Sequence, residues 1–170
     1  MRLFIAIELS DALKQRVAGI QDTYRRQSAW GRFTPPENMH LTLAFIGEYG
    51  DPSKVLDVLQ TVSFEPFRIS MDHVGCFSDL HWVGIADSPE LNGLARQIRH
   101  ALADAGIPFD RKRFRAHITF VRKVSFPRGG AIRQMTIEPA DMEVNEFCLM
   151  MSTPGKNGMI YTKLGTVEAE

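Results

Sequence analysis

The chain has 170 residues, of which 44% are hydrophobic and 24% charged, a balance typical of one globular domain rather than of a disordered chain. Lysine plus arginine equals aspartate plus glutamate at 20 each, which argues against a protein that coats long nucleic acid but leaves a local basic patch open. No apolar run is long enough to cross a membrane, and Cys76 and Cys148 lack metal-ligand spacing. We expect a cytoplasmic monomer with reduced thiols and no membrane association.

Apolar periodicity and breaker residues predict the elements of the first half of the chain. The run LFIAIEL indicates a buried strand, and apolar residues recur at helical spacing after it. Glycine and two prolines interrupt the segment that follows, which predicts a loop. The predicted elements are a strand over 3–9, a helix capped by Ser10 or Asp11, a loop over 28–38, a strand from His40 to Gly47 and a helix starting at Asp51-Pro52.

The second half repeats the order strand, helix, loop, strand. Ser88-Pro89-Glu90 is a strong helix start, and Gly106 is a natural helix end. The predicted elements are a strand and turn over 66–77, a strand over 81–86, a helix from Ser88 to Gly106, a basic loop over 111–115, a strand from His117, a loop over 125–134, and closing strands over 143–151 and 158–166.

One short pattern, His-x-Thr, occurs at the same place in each half. The two histidines, His40 and His117, are 77 residues apart, and the leading strands near Ile7 and Ile85 are 78 apart. This spacing indicates a duplicated strand-helix-strand unit. We predict an α+β fold with two pseudo-symmetric lobes, antiparallel sheets flanking a central cleft, and helices outside. The chain would be one domain, with a first unit over about 1–65, a second over about 78–125 and closing strands over about 140–168.

Each copy of the pattern presents an imidazole and a hydroxyl on one face of a strand, about 7 Å apart at the Cα atoms. Imidazole titrates near neutrality, so one histidine can act as an acid while another acts as a base. Phosphodiester hydrolysis needs both, and threonine hydroxyls can hold the non-bridging oxygens. Such a scheme requires neither a metal nor a cofactor. By itself, however, a single strand histidine is more often an ordinary packed or solvent-facing residue.

The segment from Arg111 to Arg133 contains eight lysines or arginines and no acid. Such a run is usually a solvated basic face, but here it brackets His117, so a phosphate-binding role is equally open. The remaining histidines, His73, His81 and His100, lack the flanking pattern and are expected to be ordinary residues.

The sequence resembles the two-histidine phosphoesterase superfamily, and within it the RNA 2′,3′-cyclic phosphodiesterases, also called 2′–5′ RNA ligases. The resemblance covers nearly the whole chain. It rests on the blocks RLFIAIEL, PPENMHLTLAFIGE, HWVG and RFRAHITFVRK, on a late strand from Gly158 to Tyr161, and on intact His-x-Thr-x-x-Phe and His-x-Thr-x-x-Arg motifs. The chain departs at Ala116, where many relatives have proline, and at Phe120, where they often have leucine. Trp82 and Tyr161 match apolar positions of the family and are expected to be structural, although either could border the substrate groove.

The resemblance implies an enzyme that hydrolyses RNA 2′,3′-cyclic phosphate ends to 2′-phosphates. Small cyclic nucleotides stay open as further substrates. It implies that His40 is the proton donor to the ribose 3′ oxygen and that His117 is the proton acceptor from water. Thr42, Thr119 and Arg122 would bind the phosphate, and Phe45 would stack on the terminal base.

Strand geometry conflicts with the last two of these roles. Phe45 and Arg122 lie five residues after their histidines, an odd offset that points to the opposite face of a regular strand. Either each strand bulges after its threonine, or these side chains reach the site from a strand end. The alternatives are a core position for Phe45 and a surface position for Arg122.

Three other functions remain open at this stage. The same residues could join RNA ends reversibly through a 2′–5′ linkage. The chain could instead be an RNA-end-binding module that has lost catalysis, although two intact histidines argue against this. A metal-binding histidine pair is the weakest option, because each histidine comes with a threonine rather than with further ligands.

Overall fold

A computed structural model describes residues 1–127 and 135–170. Its helices are α1 (Asp11–Arg26), α2 (Pro52–Leu59) and α3 (Pro89–Asp104), with a short 3₁₀ turn at Pro36–Asn38. The strands are β1 (Arg2–Glu8), β2 (Trp30–Phe33), β3 (His40–Glu48), β4 (Phe67–Phe77), β5 (Leu80–Ile85), β6 (His117–Ser125), β7 (Met135–Val144), β8 (Glu146–Gly155) and β9 (Gly158–Glu168). Within the described residues, no helix is long and apolar enough to span a membrane.

The strands form two antiparallel sheets, which confirms the predicted fold class. The four-stranded sheet has the order β3-β1-β8-β9, and the five-stranded sheet has the order β2-β6-β5-β4-β7. In each sheet the leading strand of one unit pairs with its own histidine strand, β1 with β3 and β5 with β6.

The helices start where the sequence predicts. The side chains of Ser10, Asp51 and Ser88 each accept a hydrogen bond from the backbone N–H three residues later. A proline follows both Asp51 and Ser88, at the position where its missing N–H costs nothing. The apolar stripe of each helix is buried in one continuous core.

Each long helix packs against the sheet that contains the other unit's histidine strand. Helix α1 contacts β2, β6 and β7 of the five-stranded sheet, while α3 contacts β3 and β4. Tyr24 of α1 lies edge-on against Phe120 of β6 at 5.0 Å between ring centroids. The two units are therefore interlocked through their helices.

Two strands were not predicted. Strand β2 lies within the predicted loop 28–38, and β7 begins before the predicted closing strands and overlaps them only at its end. Trp30, Gly31 and Arg32 are exposed, so β2 lacks an apolar pattern. Strand β7 contains Pro139, which is tolerated because β7 is an edge strand. Most of the predicted loop 125–134 lies outside the described residues.

Candidate active site

The two motif histidines begin their strands in the same way. His40 is the first residue of β3, and its Nδ1–H donates to the carbonyl oxygen of Asn38 at 2.7 Å. His117 is the first residue of β6, and its Nδ1–H donates to the carbonyl of Arg115 at 2.6 Å. A carbonyl can only accept, so each bond fixes the proton on Nδ1 when the ring is neutral. In each ring, Nε2 is then the nitrogen that can exchange a proton with a substrate.

A β-bulge in each strand brings the fifth residue after the histidine back to the histidine face. In the pairing of β1 with β3, Ala6 lies opposite Thr42 and Ile5 lies opposite Ala44, so Leu43 is skipped. Leu43 and Ala44 are both fully buried, where simple alternation would expose one of them. Phe45 therefore shares a face with His40 and Thr42.

The second strand bulges at the equivalent position. Trp82 of β5 lies opposite Thr119 and His81 lies opposite Val121, so Phe120 is skipped and both Phe120 and Val121 are fully buried. Arg122 therefore returns to the face of His117 and Thr119. The bulge is one of the two explanations that the sequence left open for the odd offset.

All six predicted side chains line one cavity of about 440 Å³, which we call the catalytic cavity. The predicted residues that line it are His40, Thr42, Phe45, His117, Thr119 and Arg122. Two arginines and two histidines contribute to its wall, and no acid in the described part of the chain does so. Such a wall suits an anion.

The surroundings of His40 are largely aromatic. Its ring lies 4.8 Å from that of Phe4, and the ring of Tyr161 meets it edge-on at 5.1 Å. Burial is the main reason that the pKa of His40 lies below the usual value for an imidazole. The hydrogen bond to Asn38 opposes this effect, while the charge of Arg122 lowers the pKa further. The net effect favours the neutral form of His40 in the free protein.

His117 has a more open environment. Phe77, which is 39% exposed, meets its ring edge-on at 5.6 Å, and buried Trp82 lies 6.0 Å away. The Arg115 guanidinium lies 5.2 Å from the centre of the Phe77 ring. Trp82, which was expected to be structural, thus packs beside His117 and away from the catalytic cavity.

Each bulge is held by a side chain from a helix of the other unit. Gln21 of α1 is buried, and its Nε2 donates to the carbonyl of Phe120 at 3.0 Å. Arg99 of α3 donates from Nε to the carbonyl of Leu43 at 3.2 Å. Leu43 and Phe120 each lie three residues after their histidine, and Gln21 and Arg99 are 78 residues apart, as are the leading strands. These two contacts are therefore equivalent under the pseudo-symmetry.

Sequence reasoning missed several residues of the catalytic cavity. Arg2 and Phe4 line it from β1, because alternate residues of a strand share a face. The Arg2 guanidinium lies 5.6 Å from the centre of the Phe45 ring. The apolar run LFIAIEL predicts only a buried strand, because none of its residues indicates which face borders a cavity. Tyr161 also borders the cavity, which was one of the two alternatives for this residue.

The other three histidines lie outside the catalytic cavity. His81 is buried and its Nδ1 is hydrogen-bonded to the hydroxyl of Tyr24 at 2.5 Å. His73 is paired with Asp72, and exposed His100 is paired with Asp104 at 3.3 Å. In the described ranges no three His, Cys, Asp or Glu side chains are grouped as metal ligands.

The arrangement can act on a phosphodiester that lies in the catalytic cavity. Two imidazoles with Nε2 available can exchange protons with an attacking and a departing oxygen. The hydroxyls of Thr42 and Thr119 and the guanidinium of Arg122 can hold the non-bridging oxygens as negative charge develops on them.

A family model described as "LigT like Phosphoesterase" matches the chain twice, over residues 7–81 and 83–161. Each match contains one of the two His-x-Thr motifs. The chain is 32% identical to an RNA 2′,3′-cyclic phosphodiesterase of Archaeoglobus fulgidus, over 99% of this chain and 100% of that protein. It is 31% identical to the protein of the same name from Escherichia coli, over 96% and 93% of the two chains.

Solved structures show the same architecture. TT0787 of Thermus thermophilus has a TM-score of 0.84 at 25% identity and covers 99% of this chain and 97% of its own. E. coli LigT complexed with 3′-AMP has a TM-score of 0.81 at 27% identity, with 99% and 96% of the two chains covered.

Proposed function

Since this chain belongs to the LigT-like phosphoesterase family, we propose that it hydrolyses the 2′,3′-cyclic phosphate at RNA 3′ ends to a 2′-phosphate. The observation that carries this proposal is the single cavity in which both motif histidines lie, each held through Nδ1 by a backbone carbonyl. The similar proteins of A. fulgidus and E. coli, which carry this activity in their names, support it.

In the proposed reaction, His117 accepts a proton from water as the water oxygen forms a bond to phosphorus. The bond from phosphorus to the ribose 3′ oxygen breaks, and His40 donates the proton that this oxygen needs. The 2′ oxygen keeps the phosphate. The products balance as RNA with a 3′ hydroxyl and a 2′-phosphate, and no metal or cofactor takes part.

Four further residues complete the proposed site. Thr42 and Thr119 bind phosphate oxygens, and Arg122 binds two of these oxygens through its planar guanidinium. Phe45 stacks on the terminal base, a contact that accepts any base because every base has a π-face. Small 2′,3′-cyclic nucleotides contain all the groups that these residues contact, so they are proposed substrates too.

The experiment is to incubate the protein in EDTA with an RNA that ends in a 2′,3′-cyclic phosphate and to identify the terminus by ³¹P NMR. A 2′-phosphate is expected. A terminus that stays cyclic in the presence of folded protein would refute the proposal, and a 3′-phosphate would refute the direction of cleavage. Adding an RNA with a 5′ hydroxyl would reveal 2′–5′ joining as a longer product.

The proposal includes one domain, with a first unit over 1–65, a second over 78–125 and closing strands over 140–168. We also propose that the protein is a monomer and that it is located in the cytoplasm. The interlocked helices α1 and α3 support the single domain. Light scattering coupled to size exclusion tests the oligomeric state, and cell fractionation tests the location.

A further inference from the structure

A second cavity, of about 560 Å³, lies beside α3 and the loop that leads to β6, and we call it the basic cavity. It is lined by Arg96 and Arg99 of the helix and by Arg111 and Arg113 of the loop. Phe109 and Phe114 also line it, and the Arg111 guanidinium lies 4.7 Å from the centre of the Phe109 ring. Arginines interleaved with aromatic rings are the surface that single-stranded nucleic acid favours.

A third cavity, of about 220 Å³, borders each of the other two through shared lining residues, and we call it the bridging cavity. It shares His117 with the catalytic cavity, and it shares Asn92 and Phe114 with the basic cavity. Phe77 and Arg115 also line it. A partly exposed aromatic ring next to a catalytic histidine offers a stacking surface for a base adjacent to the reacting nucleotide.

The charge along this path is positive at both ends. No acid of the described ranges lines the basic cavity, although Asp104 pairs with His100 at its border. Asp110 accepts a hydrogen bond from the backbone N–H of Lys112 and lies near Arg99. Asp87 is the acid that lines the bridging cavity, which also contains Arg115. The chain has no net charge, so the attraction for a polyanion is local to this path.

We propose that these three cavities form one binding track for the single-stranded 3′ segment of the RNA substrate. The terminal nucleotide occupies the catalytic cavity, a preceding base lies against Phe77, and backbone phosphates further from the end bind Arg96, Arg111 and Arg113. This inference rests on the proposed function for the identity of the substrate. It adds contacts that a mononucleotide cannot reach.

The test compares wild-type protein with a triple variant, Arg96→Gln, Arg111→Gln and Arg113→Gln. Arg99 stays unchanged because it holds the bulge of β3. All three substituted side chains are exposed, so the fold should persist, and the melting temperature checks this. The matched control is Arg16→Gln, Arg26→Gln and Lys54→Gln, which removes the same charge from exposed positions outside all three cavities.

Two measurements are made on each protein. The first is the Kd for a 12-nucleotide single-stranded RNA that ends in a 2′-phosphate, at several salt concentrations. The second is kcat/KM for that RNA with a cyclic end and for a 2′,3′-cyclic mononucleotide. Three lost phosphate contacts should weaken RNA binding by about tenfold or more at low salt and reduce the slope of log K against log salt by about 2. Mononucleotide turnover should change by less than about twofold, because the substituted residues lie outside the catalytic cavity.

The outcomes separate this inference from the proposed function. Equal RNA affinity of the triple variant and the control would overturn the track, even with full catalytic activity. An equal loss for RNA and mononucleotide would also overturn it, because the arginines would then act through the catalytic cavity. A wild-type protein that hydrolyses neither substrate would instead refute the proposed function, while the binding measurement would still decide the track. The single variants Arg96→Gln and Arg111→Gln repeat the test if the triple variant is unstable.

Discussion

The two histidines are fixed alike and surrounded differently. Each donates Nδ1–H to the carbonyl two residues earlier. An asparagine in the same position can donate the same hydrogen bond, because its amide nitrogen lies at about the same place as Nδ1 of histidine. We expect His40→Asn and His117→Asn each to lower kcat by about 10²–10⁴-fold with little change in KM, the usual effect of losing a general acid or base. Steady-state kinetics on a cyclic mononucleotide measures this, with circular dichroism as the control for folding. Turnover near that of wild type in either variant would contradict the mechanism.

If His40 is the proton donor, its lowered pKa requires that it gain a proton when substrate binds. Burial and the Arg122 charge lower the pKa of His40 and favour the neutral ring in the free protein, whereas a proton donor must be protonated. A bound phosphate brings negative charge next to the ring and favours the imidazolium. We expect NMR titration to give His40 a pKa below about 6.5 in the free protein and a higher pKa with a nucleoside 2′-phosphate bound. A value that is unchanged or lower in the complex would argue that His40 is not the donor.

Phe45 lies on the cavity face, beside Phe4 and under the Arg2 guanidinium. If its ring stacks on the terminal base, Phe45→Leu should lose about 1–3 kcal/mol of binding, or roughly 5- to 150-fold in kcat/KM. Phe45→Tyr keeps the aromatic face and serves as the control. The loss should appear for all four terminal bases and chiefly in KM. Equal kcat/KM values for Phe45→Leu and Phe45→Tyr would show that the ring only packs against the cavity wall and does not stack on the base.

At the scale of the elements, the bulges decide which side chains line the catalytic cavity, and side chains from the helices hold the bulges. Nε of Arg99 and Nε2 of Gln21 are the same number of bonds from the backbone, and both donate to a bulge carbonyl. Arg99→Gln should therefore keep the bond to Leu43, whereas Arg99→Met should remove it. A displacement of about 1 Å can cost about 100-fold in rate, so we expect the methionine variant to lose about 10- to 100-fold in kcat/KM.

Arg99→Gln is the control for this prediction. It places a glutamine at the position equivalent to Gln21, which donates to the bulge carbonyl of the other histidine strand. It should recover most of the activity in the same kinetic assay. Equal activity of the two variants, high or low, would show that the Nε contact does not position β3. A lower melting temperature alone would indicate a purely structural role.

At the scale of the whole molecule, each unit depends on the other. Helix α1 covers the five-stranded sheet, and α3 contacts the histidine strand of the four-stranded sheet. Neither unit can bury the apolar stripe of its helix without the other. We expect a single cooperative transition in urea. Fluorescence, which reports Trp30 and Trp82 of the five-stranded sheet, and far-UV circular dichroism, which reports the whole chain, should give coincident unfolding curves. Two separate transitions would contradict the single domain.

The sequence predicted the local features well because local chemistry encodes them. The capping residues Ser10, Asp51 and Ser88 and the apolar stripes after them located all three helices. The prediction failed for β2, which lies at an exposed sheet edge, and for β7, which contains a proline. Both strands are held mainly by backbone pairing with β6 and β4, and such pairing leaves little trace in side-chain pattern.

By itself, the sequence determined the two His-x-Thr strands, the duplicated unit and the α+β class. Alternation and capping are properties of short segments, and the spacing of a repeated motif can be counted along the chain. Only the tertiary structure decided that Phe45 and Arg122 share the face of the histidines. A bulge depends on which residue of a neighbouring strand pairs with which, and its carbonyl depends on a donor about 56 to 99 residues away. Contacts over such separations are fixed by packing of the whole chain, and no local pattern contains them.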